Sequence, residues 1–299
     1  MPEPFSYQLG EKVSTLLKGN VEGHVHFDPY TRGRYSTDAS IYQIAPFGVV
    51  VPKTIQDLVS TVEIAAEHNI PILSRGGGTS QCGQTVNEAI VIDCSQYLNK
   101  IVNFDYENMR ISVEPGIVLD HLNSFLKPHN LFFPVDISTA SRATIGGMTA
   151  NNSCGGRSIR YGIMVDNVHS IDALLINGEH ARFSDTPSDI RHIDGTKHYR
   201  QLVSSVREIA EREKSALETY FPKVKRRVGG YNLDTIDPQG HNMAKLLVGS
   251  EGTLATFKNI ELYLQQIPQH KVMGVCHFPT FYAAMDAAQH LVKLGPVAV

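Results

Sequence analysis

The sequence predicts an α+β chain, and three observations carry that prediction. Short apolar runs of strand character and amphipathic helical stretches occur along the chain without strict alternation, which argues against a doubly wound sheet. Two loops rich in Gly, Ser, Thr and Asn, at 75–83 and 134–162, interrupt them. The 299 residues are 42% hydrophobic and 19% charged, enough to bury a substantial core in one large or two smaller domains.

Taken in order, residues 1–45 are polar and aromatic without clear periodicity. Phe47-Gly48-Val49-Val50-Val51 has the character of a buried strand. Thr54-Ile55-Gln56-Asp57 resembles a capping box with Asp in the Glu/Gln place, and Ile55, Leu58, Val59, Val62, Ala65 and Ala66 follow at helical spacing, so 54–68 is an amphipathic helix. Pro71-Ile72-Leu73 starts a strand that runs into the first glycine loop, and Ala89-Ile90-Val91-Ile92-Asp93 is another. Arg110-Ile111-Ser112-Val113-Glu114 alternates before Pro115-Gly116, a strand ending in a turn. Residues 117–129 place Val118, Leu119, Leu122 and Leu126 on one helical face. Beyond the second loop, 168–176 is a strand closed by the hairpin signal Asn177-Gly178. Residues 199–220 form one long charged helix with Leu202, Val203, Val206, Ile209, Ala210 and Leu217 inward. Residues 253–264 form a strand and 280–293 a helix, and 295–299 begin a final strand.

Composition excludes several function classes. The net charge of −3 gives no electrostatic case for nucleic acid or an anionic membrane. No apolar run reaches the roughly 18 residues of a membrane span. The first ten residues have neither a basic nor an apolar signal region. Cys82, Cys94, Cys154 and Cys276 are widely spaced with no Cys-x-x-Cys, so no iron–sulfur or zinc site is expected within this chain, and a reducing, cytoplasmic setting is the default. His24 and His26 stand two apart without a third ligand nearby, and no His-Glu-x-x-His occurs among the 13 histidines, so no metal is expected.

The loops carry the chemistry. Gly76, Gly77 and Gly78 follow a strand, and glycine lets backbone N–H groups converge on an anion. The second loop holds Thr144-Ile145-Gly146-Gly147, Asn151, Asn152, Gly155 and Gly156. Two such loops suit a large ligand with several polar parts, such as a dinucleotide. Gly78 and Gly83 have P-loop spacing, but Gln84-Thr85 stands where Lys-Ser/Thr belongs. Gly76-Gly77-Gly78-Thr79-Ser80-Gln81 lacks the third glycine of G-x-G-x-x-G, and the polar segment behind it is too short for a crossover helix. Taken alone, the triplet is equally consistent with a plain tight turn.

Six stretches in order resemble the FAD-binding PCMH-type domain of the vanillyl-alcohol-oxidase superfamily, in its glycolate oxidase, D-lactate dehydrogenase and D-2-hydroxyglutarate dehydrogenase branch. They are Tyr35-Ser36-Thr37-Asp38-Ala39-Ser40, Arg75-Gly76-Gly77-Gly78-Thr79-Ser80, Pro134-Val135-Asp136-Ile137-Ser138-Thr139, Ala143-Thr144-Ile145-Gly146-Gly147-Met148, Arg160-Tyr161-Gly162 and Gly249-Ser250-Glu251-Gly252-Thr253-Leu254. The run Arg226-Arg227-Val228-Gly229-Gly230-Tyr231-Asn232 is similar to bacterial members that carry a C-terminal iron–sulfur region on the same chain.

The resemblance implies two α+β subdomains with FAD between them. Arg75, Gly76, Gly77, Gly78, Thr79, Ser80 and Gly83 would cradle the pyrophosphate. Pro134, Asp136, Thr139, Thr144, Gly146, Gly147 and Asn151 would line a second wall. Gly155, Tyr161, Gly162 and Val168 would follow the cofactor, and Glu251 and Gly252 would close the pocket. Thr79 stands where some members carry a flavin-attaching His, so the FAD would be non-covalent, with Cys154 the remaining attachment candidate. The implied activity is oxidation of a D-2-hydroxy acid to its 2-oxo acid, electrons passing on to an acceptor such as an iron–sulfur region or subunit. The alternative is an FAD-binding fragment without catalysis of its own, awaiting a partner. The implied organisation is an N-terminal segment 1–45, an FAD-binding domain 46–265, and at 266–299 the start of a substrate-binding cap cut short, so no catalytic base is assigned.

Overall fold

The computed structural model describes residues 7–224 and 226–298. Its first layer contains α1 (Tyr7–Asn20), β1 (His24–His26), α2 (Pro29–Arg34), β2 (Gly48–Val51), α3 (Ile55–Glu67), β3 (Ile72–Arg75) and β4 (Ile90–Asp93). The sheet order is β1-β2-β4-β3. β2, β4 and β3 are parallel and β1 is antiparallel to β2. β2 and β4, with sequences GVVV and IVID, are buried along their whole length, as parallel strands covered on both faces must be. Val13 and Leu17 of α1 pack with Leu58, Val62 and Ala65 of α3 over Val50, Ile90 and Ile92, burying one face of the sheet. Tyr35, Val49, Val51 and Val91 form a small cluster on the other.

Thr54 caps α3 in the reciprocal box predicted from sequence. Asp57 does more than cap. Its carboxylate also accepts from the backbone of Lys53 (2.8 Å), Glu22 (3.0 Å) and Gly23 (3.0 Å), tying α3 to the chain entering β1.

The second layer begins with β5 (Ile101–Asp105), β6 (Arg110–Val113), α4 (Leu119–Leu126), β7 (Leu131–Phe132), α5 (Ile145–Ala150), α6 (Ser158–Tyr161) and α7 (Met164–Asn167). It continues with β8 (Val168–Leu174), β9 (His180–Phe183), β10 (Asp185–Pro187), α8 (Lys197–Arg212), α9 (Lys214–Tyr220), β11 (Gly240–Asn242), α10 (Ala244–Leu247), β12 (Thr256–Tyr263), β13 (Gln265–Gln266) and α11 (Phe281–Leu291). The main sheet is fully antiparallel, ordered β5-β6-β12-β8-β9. Its core joins Ile111, Val113, Ile171, Ile260 and Leu262 of the strands to Leu119 and Leu122 of α4, Ile145 and Met148 of α5 and Val203 of α8. Leu174, at the end of β8, packs into the first layer's core and couples the two.

Four expectations are corrected. Residues 7–20 form a helix, with Leu9, Val13, Leu16 and Leu17 at helical spacing against the first layer's core. β5 escaped notice because only Ile101 and Phe104 of it pack against the core. The single helix over 199–220 breaks at Glu213, which ends α8 and precedes α9, and Ile209 is exposed while Tyr199 and Arg207 are buried. Residues 295–298 form no strand: Gly295 ends a helical turn in the left-handed conformation (φ +70°), and Val299 lies outside the described residues.

Candidate functional site

The site is built where β3 of the first layer delivers its loop against α5 of the second. Arg75 ends β3, and its guanidinium donates to the carbonyls of Thr37 (2.8 Å), Thr85 (3.1 Å) and Tyr35 (3.2 Å) while lying over the Tyr35 ring. Its charge is therefore committed to backbone oxygens that shape the loop. Tyr35 in turn donates to buried Asp93.

Two of the glycines exist for loop contact. A Cβ on Gly76 would stand 2.1 Å from the Thr144 hydroxyl, and one on Gly77 would stand 2.4 Å from the Arg142 carbonyl oxygen. Gly78 takes φ +63°, a left-handed turn that admits glycine at no steric cost. On the facing loop, Thr144 caps α5 by accepting from the Gly147 amide. A third segment, the turn at 249–252, joins α5 from the other side through Gly249 N–H to Thr149 (2.9 Å) and Glu251 N–H to Ala150 (2.9 Å). Three of its four residues have positive φ, including the non-glycine Glu251 at +52°.

The run at 226–232 buttresses this turn. Asn232 donates to the carbonyls of Val248 (2.8 Å) and Lys245 (3.1 Å), Tyr231 shares a 2.7 Å hydrogen bond with Thr253, and Arg227 pairs with Asp234 at 2.6 Å. The loop signal at 226–232 therefore has a local structural role behind the cleft.

The three segments enclose a cleft of about 280 Å³. Of the predicted site residues, Arg75, Gly76, Gly77, Gly78, Thr79, Ser80, Thr139, Thr144, Gly146, Gly147, Asn151, Glu251 and Gly252 line it. Gly83, Pro134, Asp136, Gly155, Tyr161, Gly162 and Val168 do not. Gly83 (φ +79°) packs against the Tyr42 ring. The Asp136 carboxylate accepts from the Arg157 amide (3.0 Å), and its backbone fills the space a Gly155 side chain would need. Gly162 (φ +76°) ends α6, Tyr161 meets Phe132 edge to face, and Val168 lies in the second core. Sequence reasoning did not single out Gln84 and Ser153 as site residues, or the apolar lining of Ile137, Met148, Ala255 and Phe257. Ala255 and Phe257 read as ordinary strand residues, but Gln84 stands directly after Gly83 and could have been suspected.

The cleft is chemically two-sided. Backbone of the glycine loop and the hydroxyls of Thr79, Ser80, Ser138, Thr139 and Ser153 make a polar, cation-poor cradle suited to phosphate oxygens. Ile137, Met148, Ala255 and Phe257 supply an apolar bed suited to a planar ring. Burial pushes the Glu251 carboxyl above its ordinary value, against the lowering effect of the Gln84 hydrogen bond. Burial, with the nearby charges of Asp93 and Glu114, pushes the Cys94 thiol up to about 12 and keeps it protonated.

This architecture is a two-layer α+β fold with a cleft between the layers. Residues 46–184 match the model of the FAD binding domain family. The chain is 32% identical over 310 positions to the D-2-hydroxyglutarate dehydrogenase of Haemophilus influenzae, an alignment covering 100% of this chain and 30% of that protein. It is 32% identical over 298 positions to the enzyme of the same name from Pseudomonas putida, covering 97% and 29%. With the mitochondrial D-lactate dehydrogenase [cytochrome] of Arabidopsis thaliana it shares 30% identity over 283 positions, covering 94% and 41%. The chain thus spans about 30% of the length of the first two relatives. The fold is also that of an alkyldihydroxyacetonephosphate synthase structure, with a TM-score of 0.67 and 19% identity over 100% of this chain and 48% of that one.

Proposed function

We propose that this chain is the FAD-holding part of a flavoprotein dehydrogenase that oxidises a D-2-hydroxy acid of the lactate, glycolate or 2-hydroxyglutarate type to the 2-oxo acid. The observation that carries the reading is the cleft itself: an amide and hydroxyl cradle joined to an apolar bed, in a chain alignable end to end with a D-2-hydroxyglutarate dehydrogenase. The backbone of Gly76, Gly77 and Gly78 with Thr79 and Ser80 holds the pyrophosphate. Thr139, Thr144, Gly146, Gly147 and Asn151 form the facing wall, and Glu251 and Gly252 close it. When bound, FAD supplies the hydride acceptor, and the protein orients it and controls its surroundings. Thr79 has no imidazole for attachment to the flavin ring, which favours a non-covalent cofactor, with Cys154 the remaining attachment candidate in the cleft.

A cytoplasmic location and electron transfer onward to an iron–sulfur region or subunit belong to the same reading. It is compatible with the described residues containing no helix long and apolar enough to cross a membrane. So does the division into an FAD-binding domain over 46–265 and the start of a substrate-binding part over 266–299.

One observation favours the second reading, a cofactor-binding piece without catalysis by itself. The ionisable side chains lining the cleft are Arg75, Cys94, Cys154 and Glu251, with no histidine among the described lining residues. Arg75 is engaged with three carbonyls, and Cys94 stays protonated. Glu251, the remaining carboxylate, accepts from Gln84, so no histidine and no unbonded carboxylate lines the cleft among the described residues to take the proton of a substrate hydroxyl. Reconstitution with FAD, followed by its visible spectrum and anaerobic addition of D-lactate, glycolate and D-2-hydroxyglutarate, tests both readings. Flavin absorbance that elutes with the protein supports FAD holding, and its absence after reconstitution removes it. Bleaching by one acid supports the dehydrogenase within this chain, whereas a stable oxidised spectrum leaves the cofactor-binding piece.

A further inference from the structure

The first glycine loop and the 249–252 turn each contact α5 or the loop before it. The first loop does so where Gly76 and Gly77 meet Thr144 and Arg142, the turn through Thr149 and Ala150. One side chain joins the two directly. The Ser80 hydroxyl donates to Gln84 Oε1, and Gln84 Nε2 donates to Glu251 Oε1 at 3.3 Å, across 167 residues of sequence. Ser80, Gln84 and Glu251 all line the cleft. We propose that Gln84 is a positioning residue that closes this ring of three segments over the cofactor and so governs how long FAD stays bound.

The chemistry of the amide fits the place. Its oxygen faces a hydroxyl donor and its NH₂ faces a carboxylate acceptor, so the orientation of the group is determined by its two partners. A glutamate at 84 would set two carboxylates against each other, and an alanine would leave both partners unbridged. Glu251 reaches the amide from a left-handed backbone that costs a non-glycine residue energy, a conformation that survives only where surrounding contacts hold it. Its carboxylate is half-buried, so this 3.3 Å hydrogen bond is made with one partner partly shielded from solvent.

The inference rests on the reading that the cleft holds FAD, and the test separates the two. Full-length chain is loaded with FAD, excess cofactor is removed, and release is followed by flavin fluorescence after dilution. Melting temperatures are recorded with and without FAD. Gln84→Ala is expected to release FAD about tenfold faster, while the cofactor-free protein melts only slightly lower and the FAD-loaded protein loses more. Gln84→Glu is expected to release it faster still. The exchanged pair, Gln84→Glu with Glu251→Gln, restores an acceptor at 84 for both Ser80 and the new amide at 251, and returns release toward the wild-type rate. Unchanged release in Gln84→Ala and Gln84→Glu overturns the proposal. So does equal destabilisation of the cofactor-free protein, which would make Gln84 a plain structural support. A wild-type chain that takes up no FAD overturns the underlying reading, and this proposal with it.

Discussion

Tyr35 donates its phenolic hydrogen to the Asp93 carboxylate at 2.6 Å, and the pair pins the segment before β2 to the end of β4. Both are buried, and the Arg75 guanidinium lies over the tyrosine ring, so one hydrogen bond supports the residue that shapes the glycine loop. Burial first, then the hydrogen bond to Asp93, raises the Tyr35 phenol far above its ordinary value.

Tyr35→Phe leaves the ring under Arg75 and removes only the hydroxyl. Asp93 keeps Ser95 and Gln96 as donors, so the expected cost is about 1–2 kcal/mol rather than collapse. A fall in melting temperature of about 2–6 °C is the expected reading. An unchanged melting curve would show that the bond contributes nothing net.

Asp57 gives a pH prediction. Burial alone would raise its carboxyl, but hydrogen bonds from the Lys53, Glu22 and Thr54 amides outweigh it and hold the group below the usual carboxylate range. A depressed native value means that the stabilisation is complete above the unfolded value near 4 and is lost as pH falls through the native value. Melting temperature is therefore expected to drop between about pH 4 and pH 2, and to drop less in Asp57→Asn, which is already weaker at pH 7 by about 1–3 kcal/mol. Parallel acid melts of the two proteins, if superimposable in slope, would remove Asp57 as the source.

Gly77→Ala is expected to weaken FAD binding by forcing the two loops apart. A Cβ at this position points at the Arg142 carbonyl, 2.4 Å away, and not into the cleft. Overpacking of this kind costs about 1–3 kcal/mol, so the folded protein is also expected to melt lower. FAD titration of Gly77→Ala and of Gly147→Ala separates the effects, because a Cβ on Gly147 meets only the Thr144 hydroxyl at 3.3 Å. Equal affinity in Gly77→Ala and wild type would show that loop contact does not set the cradle.

Acid precipitation of the FAD-loaded chain is expected to leave all flavin in the supernatant. Thr79 lines the cleft in the first glycine loop and has no imidazole through which a flavin ring would be attached. Fluorescence in the denatured band would point to Cys154, which lines the same cleft, and Cys154→Ser would then abolish it.

The sequence made the strongest elements legible where local and global signals agree. α3 has a cap, an apolar stripe and two buried strands around it, and each reads the same way. α1 was missed although Leu9, Val13, Leu16 and Leu17 stand at helical spacing, and the element that buries them, α3, lies far along the chain. At the site, glycines announced the loops but not their reasons. Gly76 and Gly77 answer to atoms of Thr144 and Arg142 more than sixty positions away, Gly155 answers to the Asp136 backbone and Gly162 to a left-handed turn, both outside the cleft. Gln84 was missed because its meaning depends on Glu251, and no local pattern links them.

β12 is the last long strand in sequence yet sits in the middle of its sheet, between β6 and β8. Until a ribosome has delivered it, both neighbours present open edges, and the wall supplied by Ala255 and Phe257 does not exist. Non-local pairing of this kind is slow to form and leaves strand edges exposed while it waits. A nascent chain therefore completes this sheet, and with it this wall of the cleft, only after β12 has been translated.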